Sequence, residues 1–529
     1  MRSFLIPTLI LILLLLFGCA TGRRDTDGLD QKSRAETFDR YVHGKLNVEE
    51  ISELKAACRK GAQENIFCFS FLRSDRLDQK IKEKMRIPEP SPPKPPIESI
   101  PVKYAKNRII NWRELRRADI PPLLKGLQNF ELKQLRTIAG RALAESRCPN
   151  NIAVAVAASL EEFLPDKKLA IEISKLYEKG AVCARKVPAD RENFLTRAGL
   201  LVFQTRAFKR AVPLLSRASR TKNAFTGRSL YWLYRASESL KDRGKATLVL
   251  SELQSKYPFS FHALVAGNPS KDPAEVLQKT GVVALKRSQK AKMANALIEQ
   301  AEILRHYEYE TSASILVDWA LEEFPKLEPE VKIYLAELGD PRTKVLTLPD
   351  VLTQNPKLLS RYTLELSFPK PFFPLFEKNS ARLDPYLLLS VARKESTFNP
   401  KAISPANAQG LLQILPETSQ KLTSSSVDLL NPENSIELGA RYLSELMNKM
   451  NGQLYLALAS YNAGEEQVTS WLKRFPNQEP ILFIDLIPYR ETREYVGAVL
   501  RNYYWYRRIH QSNDTEFAKR IIELDIARK

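Results

Sequence analysis

A single glutamate at the end of an apolar helix is the residue of this sequence best suited to acid–base chemistry. Glu395 closes a segment in which Leu387, Leu388, Val391 and Ala392 recur at helical spacing. A carboxyl at that point faces the negative end of the helix dipole, and apolar neighbours keep water away. Both effects raise its pKa, as a general acid at neutral pH requires. Taken alone, the alternative of a solvated surface glutamate stays open.

The helix that must position this carboxyl has clear predicted ends. The Asp-Pro pair at 384–385 is typical of an N-cap followed by the first helical residue. The helix is expected to end at Glu395 and Ser396, before Phe-Asn-Pro at 398–400. At 100° per residue, Arg393 and Lys394 project away from Glu395, so their charges should oppose its raised pKa only weakly.

Five sequence blocks occur in a fixed order around and after this glutamate. They are ESTFNP (395–400) with Ala402 and Ser404, GLLQILP (410–416), NPENSIELGARYL (431–443), SYNAG (460–464) and IPYRETREYV (487–496). Together they resemble the signature of the soluble lytic murein transglycosylases, which is usually written ESxFNPxAxS…GLMQIMP for the first two blocks. The departures are small: Leu412 and Leu415 replace methionines, Ser460 replaces an alanine, and Glu465 and Glu466 stand where the family often has Pro-Gly.

The resemblance implies an enzyme that cleaves the β-1,4 bond between N-acetylmuramic acid and N-acetylglucosamine in peptidoglycan glycan strands. The muramyl 6-hydroxyl attacks its own anomeric carbon and leaves a 1,6-anhydro ring. Glu395 would act first as acid and then as base, and no cofactor is implied. Most glycosidases need two carboxylates, whereas the matched blocks before 490–492 hold one well-placed acid, which fits a nucleophile supplied by the substrate.

Three further residues take binding roles from the resemblance. Tyr461 is expected to hydrogen-bond near the Glu395 carboxyl, and Ser404 and Gln413 are expected to contact the glycan. Gln413 lies between apolar residues, where an unpaired amide would be costly, so it should have a partner. The alternative for Tyr461 is a core aromatic.

The C-terminal helical segment contributes one more candidate. Glu491 matches a glutamate placed along the cleft for substrate binding, and its structural alternative is a salt bridge to Arg490 or Arg493. Four successive aromatics at 503–506 cannot all face inward from one helix face. We expect core packing for most of them, with some lining the sugar groove or packing on another domain.

The N-terminus predicts export. An apolar run at 4–17 is too short to span a membrane and is typical of a signal peptide. Gly18 followed by Cys19 resembles a bacterial lipoprotein box, so Cys19 is the predicted lipidation site; a plain secretory signal is the alternative. Ala20 is not the aspartate associated with inner-membrane retention. We therefore expect a Gram-negative periplasmic protein, lipid-anchored to the outer membrane.

Four cysteines remain after Cys19. Cys58, Cys68, Cys148 and Cys183 permit two disulfides in an exported protein, most simply Cys58–Cys68 and Cys148–Cys183, although three connectivities exist and free buried thiols are the alternative. Because no close CxxC pair occurs and histidines number only 4, no metal site is predicted.

The chain of 529 residues is long enough for more than one core, and the predicted fold class is all-α. An N-terminal α-superhelical array of TPR-like helical hairpins should precede a lysozyme-like, mostly helical catalytic domain. The predicted divisions are a lipoprotein signal peptide (1–19), a tether with a short helical segment (20–87), a Pro-rich spacer (88–101), the array (102–375) and the catalytic domain (376–529).

The array is predicted from weak internal repeats. Segments 246–258 and 313–325 both begin with Ala, end with Pro and place apolar residues at helical spacing, and Ala211 has a comparable context. Such spacing is typical of stacked helical hairpins. An irregular helical domain is the alternative.

The charge of +20 is concentrated before the catalytic domain: from residue 380 onward 18 basic residues face 17 acidic ones, so the first 379 carry +19. Stem-peptide carboxylates or anionic lipids are candidate partners. Nucleic acid is not predicted, because no recognisable module occurs and the chain is exported. Two alternative functions stay open, namely a lysozyme-type muramidase that uses water and a catalytically silent cell-wall scaffold lipoprotein.

Overall fold

The molecule is all-α wherever its structure is described. The computed structural model describes residues 27–61, 70, 74–85, 127, 130–144, 152–221, 226–267, 292–423 and 425–511. Across these ranges the only strand-like pairings are two isolated bridges, Ile403 with Gln409 and Gln409 with Ile414. No helix in these ranges combines the length and the apolar character that a membrane span needs. The apolar run at 4–17, Cys19 and the Pro-rich segment at 88–101 lie outside the described residues.

The helices are numbered in chain order. They are α1 Asp27–Val42, α2 Val48–Gly61, α3 Ser74–Met85, α4 Leu132–Ala144, α5 Ile152–Leu160, α6 Lys167–Cys183, α7 Pro188–Phe203, α8 Phe208–Ser219, α9 Thr226–Ser239, α10 Arg243–Lys256, α11 Phe261–Ala266, α12 Lys292–His306, α13 Glu310–Glu323, α14 Pro329–Leu338, α15 Pro341–Gln354, α16 Arg361–Ser367, α17 Phe373–Lys378, α18 Pro385–Glu395, α19 Pro416–Leu422, α20 Pro432–Lys449, α21 Leu454–Ala463, α22 Glu465–Arg474, α23 Pro480–Leu486 and α24 Arg490–His510.

The predicted repeats correspond to successive helical hairpins, in which each helix packs against the next from α4 to α10. Ala211, Ala246 and Ala313 each occupy the fourth position of the second helix of a hairpin (α8, α10 and α13), and all three are buried. The turns also repeat, because the residue two positions before each of these helices is left-handed: Arg206 (φ 64°), Lys241 (φ 60°) and Glu308 (φ 65°). The sequence similarity therefore reflects a structural repeat.

The helices before the Pro-rich segment, α1–α3, pack against helices α12–α14 of the array. Phe38, Leu54 and Leu77 of α1–α3 share one apolar core with α12, α13 and α14. Lys84 Nζ, at the end of α3, pairs with Asp318 Oδ2 (2.6 Å) and Asp340 Oδ2 (2.8 Å). The helices predicted as a short segment beside the tether thus belong to the same packed body as α12–α14.

The C-terminal helices are organised around α24, which contacts α18 and α21 on the catalytic side and α11 and α16 on the array side. The four aromatics Tyr503, Tyr504, Trp505 and Tyr506 are consequently all buried. They do not all face one core: Trp505 packs against Phe259 of the array (ring centroids 5.1 Å apart), as expected for some of them. None of the four lines a groove.

Candidate active site

Glu395 is the last residue of α18, as the sequence predicts. Asp384 caps the start of this helix: its Oδ1 accepts a hydrogen bond from the Tyr386 backbone N–H (2.8 Å), and Pro385 occupies the first position. The second oxygen of Asp384 accepts a hydrogen bond from the Tyr503 hydroxyl (2.8 Å). One side chain therefore starts α18 and ties it to α24.

The end of α18 is held in an unusual backbone conformation. Thr397 (φ 50°) and Phe398 (φ 66°) are both left-handed, which costs of order 1–3 kcal/mol for a non-glycine residue and persists only where the surroundings enforce it. Ser396 Oγ supplies part of that enforcement by donating to the Leu411 carbonyl (2.9 Å). The position of Glu395 is thus coupled to the loop at 402–414.

That loop carries two of the predicted glycan-binding residues. Gln413 Nε2 donates to the carbonyls of Ala402 (3.0 Å) and Gly410 (2.8 Å), so the predicted partner for its amide exists. Ser404 Oγ accepts from the Ala408 backbone N–H (3.0 Å), and the hydroxyl proton stays free to donate. Both side chains stabilise the loop, and neither contacts Glu395 among the described hydrogen bonds.

The loop and the rest of the domain approach each other so closely at two glycines that neither position has room for a side chain. A Cβ on Gly410, whose φ is 79°, would lie 2.0 Å from the Leu429 carbonyl oxygen. A Cβ on Gly439 of α20 would lie 2.2 Å from Leu412. Only glycine permits both approaches, and they seat the loop against the body of the domain.

The Glu395 carboxyl retains its proton near neutrality. Burial raises its pKa to about 7, and the nearby Glu491 carboxylate adds to the rise, while Tyr495 and Lys394 lower it. The residue as a whole is nevertheless only partly buried. The predicted raised pKa is therefore present, and withdrawal of water is its dominant cause.

Tyr461 lies beside this carboxyl, but its hydroxyl points elsewhere. It donates a hydrogen bond to the Leu412 carbonyl (2.7 Å), and its ring centroid lies 5.2 Å from that of Tyr442. Burial and the neighbouring Glu395 raise the pKa of Tyr461 well above its ordinary value. The phenol is thus a neutral group that closes one side of the site and fixes the loop.

Tyr495 is the residue that the sequence reasoning missed. Its buried hydroxyl has no hydrogen bond of regular geometry, yet it lies close enough to the Glu395 carboxyl to act on its pKa. The available signal was its spacing: Tyr495 follows Glu491 by four residues on α24, and residues at that spacing share a helix face. An unsatisfied phenol beside this carboxyl has a donor ready for a ligand or for the ionised carboxylate.

Glu491 is exposed at the start of α24 and acts electrostatically on Glu395. The alternative of a salt bridge to a neighbouring arginine is wrong. Arg490 pairs instead with Glu494 (2.7 Å), and Arg493 Nη2 donates to Asn193 Oδ1 (2.8 Å). Glu491 is therefore available to a ligand.

Two of the five cysteines predicted as disulfide or lipidation sites lie within the described residues. Cys58 and Cys183 are each disulfide-bonded, whereas Cys68, Cys148 and Cys19 lie outside the described residues, so the pairing and the lipidation stay predictions. In the part of the chain that the structure describes, no group of three or more His, Cys, Asp or Glu residues is arranged to hold a metal ion.

Comparisons with known proteins place this geometry in context. Residues 374–484 match the family model described as the transglycosylase SLT domain. The soluble lytic murein transglycosylase of Escherichia coli (strain K12) is 34% identical over 155 residues, which are 27% of this chain and 24% of that protein. The membrane-bound lytic murein transglycosylase F of Pectobacterium atrosepticum is 39% identical over 97 residues, 17% of this chain and 20% of that protein. The chain thus spans about a quarter or less of the length of these relatives.

A solved structure extends the likeness to the whole fold. An inactive mutant of the lytic transglycosylase Slt from Pseudomonas aeruginosa superposes with a TM-score of 0.54 and 19% identity, covering 95% of this chain and 81% of that one. The predicted fold class, an α-superhelical array followed by a lysozyme-like helical domain, is confirmed.

Proposed function

We propose that this chain, whose C-terminal region is an SLT domain, is a lytic transglycosylase that acts on peptidoglycan glycan strands. It cleaves the β-1,4 bond between N-acetylmuramic acid and N-acetylglucosamine and forms a 1,6-anhydro-N-acetylmuramic acid end. The observation that carries this proposal is Glu395, whose carboxyl has a pKa of about 7 raised by burial and lies beside two phenols, those of Tyr461 and Tyr495.

The reaction needs only one proton-transfer group of the protein. Glu395 donates its proton to the glycosidic oxygen as the bond from that oxygen to the muramyl C1 breaks, and the glucosaminyl product leaves as an alcohol. The muramyl 6-hydroxyl oxygen then bonds to C1, and its proton passes to the Glu395 carboxylate. The protein returns to its starting state, and no water is consumed.

The surrounding residues support the two protonation states differently. Burial holds the proton on Glu395 before cleavage. Once Glu395 is ionised, the unsatisfied Tyr495 hydroxyl, which already acts on its pKa, can stabilise the carboxylate by a charge-assisted hydrogen bond. Exposed Glu491, together with Ser404 and Gln413 of the loop, is assigned to glycan binding.

Product analysis tests the proposal directly. Purified sacculi digested by the protein should release muropeptides with 1,6-anhydro ends, identified by mass spectrometry of the sugar termini. Reducing ends would instead show a muramidase that uses water, and an absence of released fragments would show a silent scaffold. The variant Glu417→Gln, at an exposed glutamate of the same domain, should give the wild-type products.

We further propose that the protein is periplasmic and anchored through acylated Cys19. Seven residues separate Cys19 from Asp27, where α1 begins, so the anchor reaches at most about 27 Å from α1. Because α1–α3 dock on α12–α14, the Pro-rich segment does not lengthen this tether. Radioactive fatty acid should label the wild type but not Cys19→Ala, and equal labelling of both would contradict the assignment.

A further inference from the structure

The turn between α23 and α24 is held by the helical array rather than by its own domain alone. Arg197 of α7 donates from Nη1 to the carbonyl of Leu486 (2.6 Å) and to those of Asp485 (3.3 Å) and Ile487 (3.4 Å). The last carbonyls of a helix lack partners within that helix. A guanidinium from the array therefore caps α23 just before α24 begins.

Arg197 is itself fixed in place. Its Nε donates to Glu161 Oε1 (2.8 Å), its Nη2 pairs with the other oxygen of Glu161, and the Tyr177 hydroxyl also donates to Oε1 (2.8 Å). Arg197 is 4% exposed and Glu161 is 1% exposed. Breaking a buried, bidentate pair leaves a charge uncompensated, so this guanidinium cannot shift without a large cost.

A second residue of α7 holds the same turn through α24. Asn193 lies one helical turn before Arg197, and its Oδ1 accepts from Arg493 Nη2 (2.8 Å). Arg493 Nη1 in turn donates to the carbonyls of Ile487 (2.6 Å) and Pro488 (3.1 Å). Two residues on one face of α7 thus contact both the loop between α23 and α24 and the N-terminal part of α24.

The Asp485 side chain adds a third attachment. Its Oδ2 accepts from Trp232 Nε1 (2.6 Å) of α9 and lies 2.7 Å from His262 Nε2 of α11. The carboxyl is buried, and the charge of His262 and the Trp232 hydrogen bond contribute to a lowered pKa. Three array helices therefore contact the few residues that precede α24.

This attachment bears on the active site because of the geometry of α24. Arg493 lies two residues from both Glu491 and Tyr495, and at 100° per residue it faces the opposite side of the helix. Arg493 faces the array, whereas Glu491 and Tyr495 lie beside Glu395. A shift or rotation of α24 would move these two residues away from the general acid.

We propose that Asn193 and Arg197 of the array are positioning residues for the reaction, which seat α24 so that Glu491 and Tyr495 keep their places beside Glu395. This proposal rests on the proposed function. It makes the array a part of the active-site scaffold, although no array residue touches the substrate in this role.

The test uses the full chain and compares Asn193→Ala, Arg197→Met and Arg197→Lys with the wild type. The matched control is Arg136→Met, which removes an exposed ion pair of the array with Glu172 (2.9 Å). For each protein, kcat, KM and the alkaline limb of the pH profile are measured on soluble glycan strands, well below the melting temperature, which is measured separately.

Asn193→Ala and Arg197→Met are expected to lower kcat about tenfold or more with KM changed less than about threefold, because misplacement by about 1 Å can cost up to ~10²-fold in rate. Displacement of Tyr495 alone would raise the pKa of Glu395, but burial is the larger cause of its shift, so water admitted beside the carboxyl should move the alkaline limb to lower pH on balance. Arg197→Lys should retain an intermediate kcat, and Arg136→Met should match the wild type. Unchanged kcat and pH profile in Asn193→Ala and Arg197→Met, with only the melting temperature lowered, would overturn the positioning role.

A titration separates this proposal from the proposed function. The Glu395 carboxyl is followed by ¹³C NMR after glutamate labelling, with Glu395→Gln identifying its signal. A lower pKa of this signal in Asn193→Ala and Arg197→Met than in the wild type supports positioning even if the wild type releases no anhydro product. An unchanged pKa in folded variants overturns it, whatever the activity.

Discussion

Glu395→Gln is expected to lower the rate of anhydromuropeptide release by about 10³-fold or more, since a positioned acid–base group contributes typically 10²–10⁴-fold. In the proposed mechanism the same carboxyl serves both proton transfers, and glutamine can neither donate the proton to the leaving oxygen nor accept one from the 6-hydroxyl. Release is measured from purified sacculi. Activity within tenfold of the wild type would remove Glu395 from the mechanism.

The same substitution should make the folded protein more stable at pH 8. The raised pKa of about 7 means that the folded state keeps a proton that the unfolded state loses near pH 4.5. The stability contributed by the neutral carboxyl is therefore fully present below about pH 4.5 and is lost as the pH rises through 7. Because one pKa unit corresponds to about 1.4 kcal/mol, Glu395→Gln should gain about 1–3 kcal/mol at pH 8.

The matched control for both effects is Glu417→Gln. This exposed glutamate lies in the same domain, so its replacement removes the same charge without touching the site. We expect wild-type activity and wild-type stability for the control. Equal stabilisation by both substitutions would point to the net charge of the domain and not to the environment of Glu395.

The second large effect is the dependence of kcat/KM on pH. The free protein must hold the proton on Glu395 to act as an acid, so kcat/KM should fall about tenfold per pH unit above its pKa of about 7. The rate is measured on soluble glycan strands between pH 5 and pH 9, values chosen to lie about two units on either side of that pKa. A rate that stays constant up to pH 9 would contradict a proton held by this carboxyl.

Tyr495→Phe gives a diagnostic shift of the same profile. The Tyr495 hydroxyl lowers the pKa of Glu395, so its removal should move the alkaline limb to higher pH. Loss of a donor to the ionised carboxylate should also slow the second proton transfer and lower kcat. Tyr489→Phe is the control, because Tyr489 is about half exposed and its hydroxyl bonds only weakly to Gln467 (3.4 Å).

The local features of the site could be predicted because they depend on neighbouring residues in the chain. The Asp384 cap, the end of α18 at Glu395 and the raised pKa of that carboxyl all follow from helix chemistry and an apolar helix face. The hairpin repeats were also accessible, since each small alanine marks a close approach within one hairpin.

Other features depend on which surfaces meet in space. For the four aromatics at 503–506 the sequence favoured core packing and left the sugar groove or the array open for some of them. Only the packing of α24 between two domains decided that all four are buried. The docking of α1–α3 on α12–α14 joins segments more than 200 residues apart, and no local pattern records it.

By itself the sequence was enough to propose a chemistry for this protein, because an acid, its helix and the blocks around it lie within about a hundred residues. Only the tertiary structure decided what holds the reacting groups together. Tyr495 reaches Glu395, and Arg197 reaches the turn before α24, through contacts between segments far apart in the chain. Such contacts are selected by the shape and charge of complete surfaces, which exist only after the helices have packed.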